Sequence, residues 1–389
     1  MNAPEPKSID QWEAELGAWN PSAANSCAES VGASDGACDA SPSEHRPSAT
    51  CPTAAYQGSE FMVSVEVSAM ACEFEVLLNR GEYAGGVETA RSALDVVPQL
   101  ESELSVYRPQ SDFSAVNRWG SERPVAVRFD VFRLISAALD VSRATAGAFD
   151  ITAGSLSEVW GFSRRSGRRP ADDELALAMQ SVGSHLLELD ASLQTVRLQR
   201  PGVKLNPGGI GKGYALDRTA AALVRGGVEN FLIHGGRSSI CARGRRYARS
   251  ADDDSGDGWW IALAHPLRWE EKLGRVRLRN CALGTSGAGK QFFHYQGTRY
   301  SHIIDPRSGM PAGGMLSATV LCRSGTIADA LATALFVMGP DAARQWCSSH
   351  PEIRALLVTS PSGSGRMNVE RINIPDEDWV EERILERPI

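Results

Sequence analysis

Asn206-Pro207-Gly208-Gly209-Ile210-Gly211-Lys212-Gly213-Tyr214 is the stretch on which the fold turns. Four glycines and a lysine stand in front of a helix expected over 214–225, which Gly226-Gly227 stops, and a strand is expected at 231–233. The spelling approaches a phosphate-binding P-loop. The leading glycine position is Asn206, however, and Gly213 follows Lys212 where that loop needs Ser or Thr. No G-x-G-x-x-G follows any expected strand, so a doubly wound dinucleotide-binding sheet lacks its signature.

Outward from this stretch, strand and helix patterns interleave. Val63, Val65 and Val67 alternate, as do Phe74, Val76 and Leu78, which predicts two half-buried strands. A helix is expected over 87–104, kinked or broken by Pro98. A second carries Val131, Leu134, Ile135, Ala138 and Leu139 on one face and ends near Gly147. Strands are expected at 193–198, 259–263, 276–278, 318–321 and 355–358, and a buried helix at 327–338 closed by Gly339-Pro340. Few regular βαβ units occur, so the pattern favours an α+β fold.

The chain has 389 residues, 40 Lys plus Arg and 47 Asp plus Glu, for a net charge of −7. That balance excludes a sequence-independent nucleic-acid binder, which needs a basic surplus. Residues 1–60 hold nine acidic and two basic residues, which leaves 38 of each sign beyond them. The domain expectation is a short amphipathic helix in 1–20, a flexible Ser/Ala/Gly/Pro-rich tail in 21–60, a catalytic domain in 61–375 and a C-terminal tail in 376–389. Ile9, Trp12, Leu16 and Trp19 form the stripe of the first helix, which docks on the body or on a partner. No apolar run reaches the ~18 residues of a membrane span, and no secretory n- and h-region is visible. The expectation is a cytoplasmic protein without membrane insertion. The eight scattered cysteines form no disulfide framework, and Cys27, Cys38 and Cys51 read as incidental thiols more than as metal ligands.

Four constellations carry chemistry. The glycine-rich stretch would turn free N–H groups and Lys212 toward an anion such as a diphosphate; otherwise it is a turn that lets helix and strand pack closely. Asp329 and Thr333 share one face of an apolar helix, where a buried carboxylate calls for a hard cation such as Mg²⁺; otherwise Asp329 complements the helix dipole and faces water. His302 and Asp305 precede a Pro306 turn, either as a titratable imidazole at a cleft edge or as a surface histidine beside a turn cap. Phe149 and Asp150, with Trp160 and Phe162 beyond, would cover a planar ring and bind its edge, or else plug the core.

Together and in this order, these segments resemble the ApbE-type FAD:protein FMN transferases from about residue 70 to 339. The marks are Glu103-Leu104-Ser105-x-Tyr107, Ser111-x-x-Ser114-x-x-Asn117, residues 147–152, residues 208–214 with Asp217, Gly235-Gly236, Thr285-Ser286-Gly287, residues 302–309 and Asp329-Ala330-x-Ala332-Thr333. The resemblance implies an α+β flavin transferase fold with mixed or antiparallel sheets, packed helices and FAD in a cleft between two subdomains. It also implies a reaction: a Thr or Ser hydroxyl of a target protein attacks the FMN-side phosphorus of FAD, Mg²⁺ assists, and AMP leaves. Carried over by position, Asp329, Thr333 and the Gly209 carbonyl hold the metal. Met70, Tyr107, Ala148, Phe149, Asp150, Asn206, Lys212 and the Ile303 backbone line the FAD site, and His302 with Asp329 would be catalytic. The alternatives are FAD hydrolysis to FMN and AMP at the same site, or a non-catalytic flavin-binding protein. This chain departs from the family pattern at Asn206-Pro207, where Asp-Leu is usual, at Met70-Ala71-Cys72, at Gly289 and at Arg237. Ser317-Ala318-Thr319 resembles the end of an acceptor motif but reads better as a core strand.

Overall fold

The computed structural model describes residues 11, 56–58, 61–164, 166–247, 257–289, 292–359 and 367–382. The expected Trp12/Trp19 helix, the 21–60 tail apart from 56–58, and Cys27, Cys38 and Cys51 lie outside them.

In chain order the strands are β1 (Tyr56–Gly58), β2 (Met62–Ala69), β3 (Cys72–Asn79), β4 (Val125–Ala126), β5 (Leu187–Asp190), β6 (Thr195–Leu198), β7 (Phe231–Gly235) and β8 (Ser239–Arg243). There follow β9 (Trp259–Ala264), β10 (Lys272–Leu278), β11 (Cys281–Gly287), β12 (Phe292–Tyr295), β13 (Thr298–Ser301), β14 (Ser317–Cys322), β15 (Arg354–Thr359), β16 (Asn368–Ile372) and β17 (Trp379–Glu381). Nine of them form one sheet in the order β1-β2-β3-β7-β8-β11-β14-β15-β16, and each neighbouring pair is antiparallel. The α+β expectation holds.

The alternating residues of β2 and β3 explain the layering. Val63, Val65, Phe74, Val76 and Leu78 are buried beneath helices Gly86–Leu94 and Val96–Leu104, while Gly211–Arg225 packs on β7 and β8 and Gly325–Met338 on β8, β11 and β14. Strands β9, β10 and β17 cover the opposite face, where Leu283, Leu321 and Leu356 meet Trp259, Leu263 and Val276. Central strands β8 and β14 are therefore buried on both faces and lack alternation. Ser317-Ala318-Thr319 opens β14 as a core strand.

Pro98 falls in the first turn of Val96–Leu104, where its missing N–H breaks no helical bond, and the expected 87–104 helix divides at Asp95. Pro340 likewise begins a second helix, Pro340–Ser348, instead of only ending the first. The expected C-terminal tail begins too early at 376. β17 pairs with β10, and Asp378 is buried and accepts from Arg277 Nε at 2.9 Å, so the folded body runs past that boundary. Among the described residues no helix is long and apolar enough to cross a membrane.

Candidate active site

The β2–β3 turn, the β7–β8 turn, the end of β11 and the start of β14 lie at one end of the large sheet, as the pairs Ala69↔Cys72, Gly235↔Ser239, Gly284↔Ser239 and Gly287↔Ser317 require. Helices Gly211–Arg225 and Gly325–Met338 cross beside that end. Two glycines set how closely. A Cβ on Gly213 would stand 2.0 Å from the Gly325 carbonyl oxygen, and one on Gly284 would stand 2.6 Å from the Asp329 nitrogen. The glycine-rich stretch thus permits close packing, and it also delivers a backbone donor to a carboxylate.

That carboxylate is Asp329, at 7% exposure. It lies one turn inside its helix, and burial removes the solvent-facing alternative. Oδ2 accepts from the Gly213 N–H at 2.7 Å, Oδ1 accepts from Ser239 Oγ at 2.7 Å, and Lys212 Nζ lies 3.7 Å from Oδ2. Lys212 Nζ also donates to Ser239 Oγ at 2.8 Å and Ser238 Oγ at 3.2 Å. One turn on, Thr333 Oγ1 lies 3.0 Å from Ser286 Oγ. A Cβ on Gly209 would be 3.2 Å from both Thr333 Oγ1 and the Phe149 ring, so Gly209, Thr333 and Phe149 adjoin.

Asp217 fixes the two helices together. Its carboxylate accepts from Ser324 Oγ, Gly325 N, Thr326 N and Thr326 Oγ1 at 2.6–2.9 Å, and so caps the start of the Asp329 helix. Burial pushes its pKa above the usual carboxylate range, against hydrogen bonds that favour the anion.

Asn206 Oδ1 accepts from Gly208 N at 2.9 Å and holds the turn before Gly209. Asp150 is engaged within the protein: it accepts from Thr152 N and Thr152 Oγ1 in its own loop, from Ser142 Oγ in the preceding helix and from Ser184 N 34 residues on. Ala148 and Phe149 are buried beside it. Residues Met70 and Ala71 form the two-residue β2–β3 turn with φ of 52° and 59°, a conformation costly for non-glycine residues, and Met70 N donates to Glu101 Oε1 at 2.9 Å.

A second group is aromatic. His302 follows β13, and its ring meets Phe162 edge-on at 6.5 Å. Phe293 and Tyr300 stack at 5.4 Å over Trp160, whose Nε1 donates to Gly309 O at 2.8 Å. Exposed Tyr107 donates its hydroxyl to Ser163 O at 3.1 Å, beside Phe162. Asp305 is a turn cap, accepting from Arg307 N and both Nε and Nη2 of Arg307 at 2.9 Å. The Ile303 N–H donates to Ser301 Oγ and its carbonyl accepts from Ala312 N, so that backbone is already engaged. Gly147, whose Cβ would lie 3.7 Å from Arg307 Cγ, links this loop to the Phe149 segment and thence to Gly209.

Nothing in the sequence pattern marks Ser238 or Ser239, and Asp217 and Ser286 stand out only within the segments that carry the family resemblance. The serines carry no periodic signal, because what selects them is cross-strand adjacency. Chemically, the Asp329 group offers one carboxylate, hydroxyls and backbone oxygen. No group of three or more His, Cys, Asp or Glu able to hold a metal occurs among the described residues. An all-carboxylate cage is therefore absent there, and the donor set suits a hard cation that keeps water or substrate oxygens in its shell.

The ApbE family model matches residues 63–357. The FAD:protein FMN transferase of Haemophilus influenzae is 26% identical over 320 residues, covering 80% of this chain and 90% of that protein. The one from Treponema pallidum is 30% identical over 300 residues, covering 74% and 82%. The crystal structure of the ApbE protein from Thermotoga maritima superposes with a TM-score of 0.71 at 28% identity, covering 80% of this chain and 97% of that one. The chain belongs to the ApbE family.

Proposed function

We propose that the chain transfers the FMN moiety of FAD to a Thr or Ser hydroxyl of a target protein and releases AMP. The observation that carries the reading is the buried Asp329 carboxylate, held by Gly213 N–H and Ser239 Oγ beside Lys212 in a chain of this family. Relatives bear the name FAD:protein FMN transferase.

In the reaction the acceptor oxygen forms a bond to the FMN-side phosphorus, the bond from that phosphorus to the bridging oxygen breaks, and AMP carries that oxygen away. The acceptor proton goes to a base, for which His302 is the candidate. Lys212 sets a positive charge against the diphosphate, whereas the N–H groups of Gly208, Ile210, Gly211 and Gly213 are already donated to Asn206, Pro207 and Asp329, so the charge and not a cradle of free backbone donors carries that role. Exposed Tyr107 supplies ring surface suited to a flavin, and buried Phe149 backs the Gly209 turn. Asn206 shapes the Gly208–Gly209 turn without adding a charge, and Asp150, Ala148, Met70 and Ile303 support the walls. Asp329, Thr333 and Gly209 would hold Mg²⁺, and the hard-oxygen donor set fits that ion. When bound, the ion supplies charge neutralisation at the phosphate oxygens and at the departing AMP.

The test is incubation with FAD, Mg²⁺ and a Thr-bearing acceptor, with AMP followed by chromatography and flavin fluorescence read on the denatured acceptor. AMP matched by covalent flavin supports transfer. AMP with free FMN means hydrolysis, and no AMP above a metal-free control means binding alone; either result defeats the proposal.

A further inference from the structure

We propose that Arg237 is a second cation of this site and contacts the diphosphate of the bound dinucleotide, an inference that rests on the FAD reading above. β7 and β8 are joined through residues 236–238, and the loop is tied on both sides. Gly236 N donates to Glu73 O at 2.9 Å, and Thr285 N donates to Ser238 O at 2.8 Å. Within it Arg237 has φ 60°, a left-handed conformation that a residue with a long side chain adopts at a cost and that glycine or asparagine would relieve. Its two successors, Ser238 and Ser239, both meet Lys212 Nζ, and Ser239 also meets Asp329. The backbone strain therefore sits next to the residues that organise the site.

The side chain is exposed and makes no ion pair among the described residues. Its five donors, in a planar fork, match phosphate oxygens in a way that one ammonium cannot. The surroundings give it a task. A cleft of ≈ 580 Å³ beside the Met70–Ala71 turn is walled by Ser68, Ala69, Cys72, Glu73 and Glu101. Gly236 abuts it, since a Cβ there would be 3.3 Å from Cys72 Sγ. Glu101 is neutralised by Arg108 at 2.7 Å. On this reading an anionic ligand that reaches from Lys212 toward the cleft would pass Glu73, which lines it, and Arg237 would offset that repulsion.

The measurement is binding to the full chain with Mg²⁺, using FAD, ADP and riboflavin as probes. ADP carries a diphosphate without the flavin, and riboflavin the flavin without phosphate. Arg237→Gln should weaken FAD and ADP by roughly tenfold or more, the worth of one charge-assisted contact, while riboflavin changes by less than about twofold. Arg237→Lys should recover part of the FAD affinity, and the salt dependence of FAD binding should flatten in Arg237→Gln. Unchanged FAD affinity overturns the inference. So does an equal loss for riboflavin, which would assign Arg237 to the shape of the turn. Because binding is read without turnover, a chain that releases no AMP would defeat the transfer reading while these affinities still decide the role of Arg237.

Discussion

Gly213→Ala sets two physical effects against each other. The residue lies in the Gly211–Arg225 helix, and exchanging glycine for alanine inside a helix should by propensity alone stabilise the fold by about 1 kcal/mol. Packing opposes this. The new Cβ would stand 2.0 Å from Gly325 O, 2.4 Å from its carbonyl carbon and 2.8 Å from Thr326 N, where ordinary contact begins at 3.4 Å. All three neighbours are backbone, so none can rotate aside, and the helices must part by about 1.4 Å, the difference between 3.4 and 2.0 Å. Overpacking of this kind costs about 1–3 kcal/mol, which outweighs the propensity gain. The same movement strains the 2.7 Å bond from Gly213 N to Asp329 Oδ2, which weakens steeply beyond about 3.2 Å. Thermal unfolding and AMP release are the assays. The variant should melt a few degrees lower, at about 2–4 °C per kcal/mol or less for a body of this size, and lose most turnover. Gly313→Ala, with nothing within 4 Å of its Cβ, should be neutral in both. A higher melting temperature for Gly213→Ala would refute the close-packing argument.

Three further outcomes follow from the same contacts. Asp217→Asn should destabilise by about 1–3 kcal/mol, because Gly325 N and Thr326 N donate to different carboxylate oxygens and one of them must then face an NH₂ group; denaturant titration unchanged from wild type would contradict this. In the native protein Cys241, Cys281, Cys322 and Cys347 should resist alkylation, since all are buried and burial pushes the Cys347 thiol up to about 12 and raises Cys241 and Cys281; mass spectrometry finding them modified before unfolding would be the wrong result. Burial, then Arg268, lowers the His265 pKa below its ordinary 6.5, and Nδ1 accepts from Leu267 N and Arg268 N. The unfolded chain then binds the proton more readily, so this contribution to stability is present above 6.5 and is lost as pH falls below it. His265→Asn should show a smaller drop in denaturation midpoint on acidification, and an identical drop would rule the group out.

The fold class was legible because β2 and β3 alternate cleanly, because the 327–338 helix is an apolar run too long for a strand and closed by Gly339-Pro340, and because the glycine-rich stretch fails the P-loop spelling. β8 and β11 were not legible. Both lie inside the sheet and are covered on its two faces, so Ser239-Ile240-Cys241-Ala242-Arg243 shows no alternation, and Gly284 weakens the strand pattern of β11 for the sake of the Asp329 helix. In the site, a spacing of four put Asp329 and Thr333 on one helix face and the glycine-rich stretch drew attention to Lys212, while their joint role followed from the family resemblance. Ser239 and Ser286 meet them only through strand register, which single-chain spacing does not encode. Asp150 and Asp305, equally prominent in the sequence, turn their oxygens to structural donors, Thr152 and Ser184 for the one and Arg307 for the other.

Asp329→Asn tests the central claim most directly. The amide can keep Gly213 N–H on its oxygen and donate to Ser239 Oγ, whose hydroxyl rotates to accept, so stability should fall by no more than about 1 kcal/mol. The negative charge beside Lys212 disappears. Measured as Mg²⁺-dependent AMP release from FAD with a Thr-bearing acceptor, turnover should drop by about a hundredfold or more while the melting curve stays near that of the wild type. Turnover within about threefold of wild type, equivalent to under ~1 kcal/mol of barrier, would contradict a metal-binding role for Asp329 and the reaction built around it.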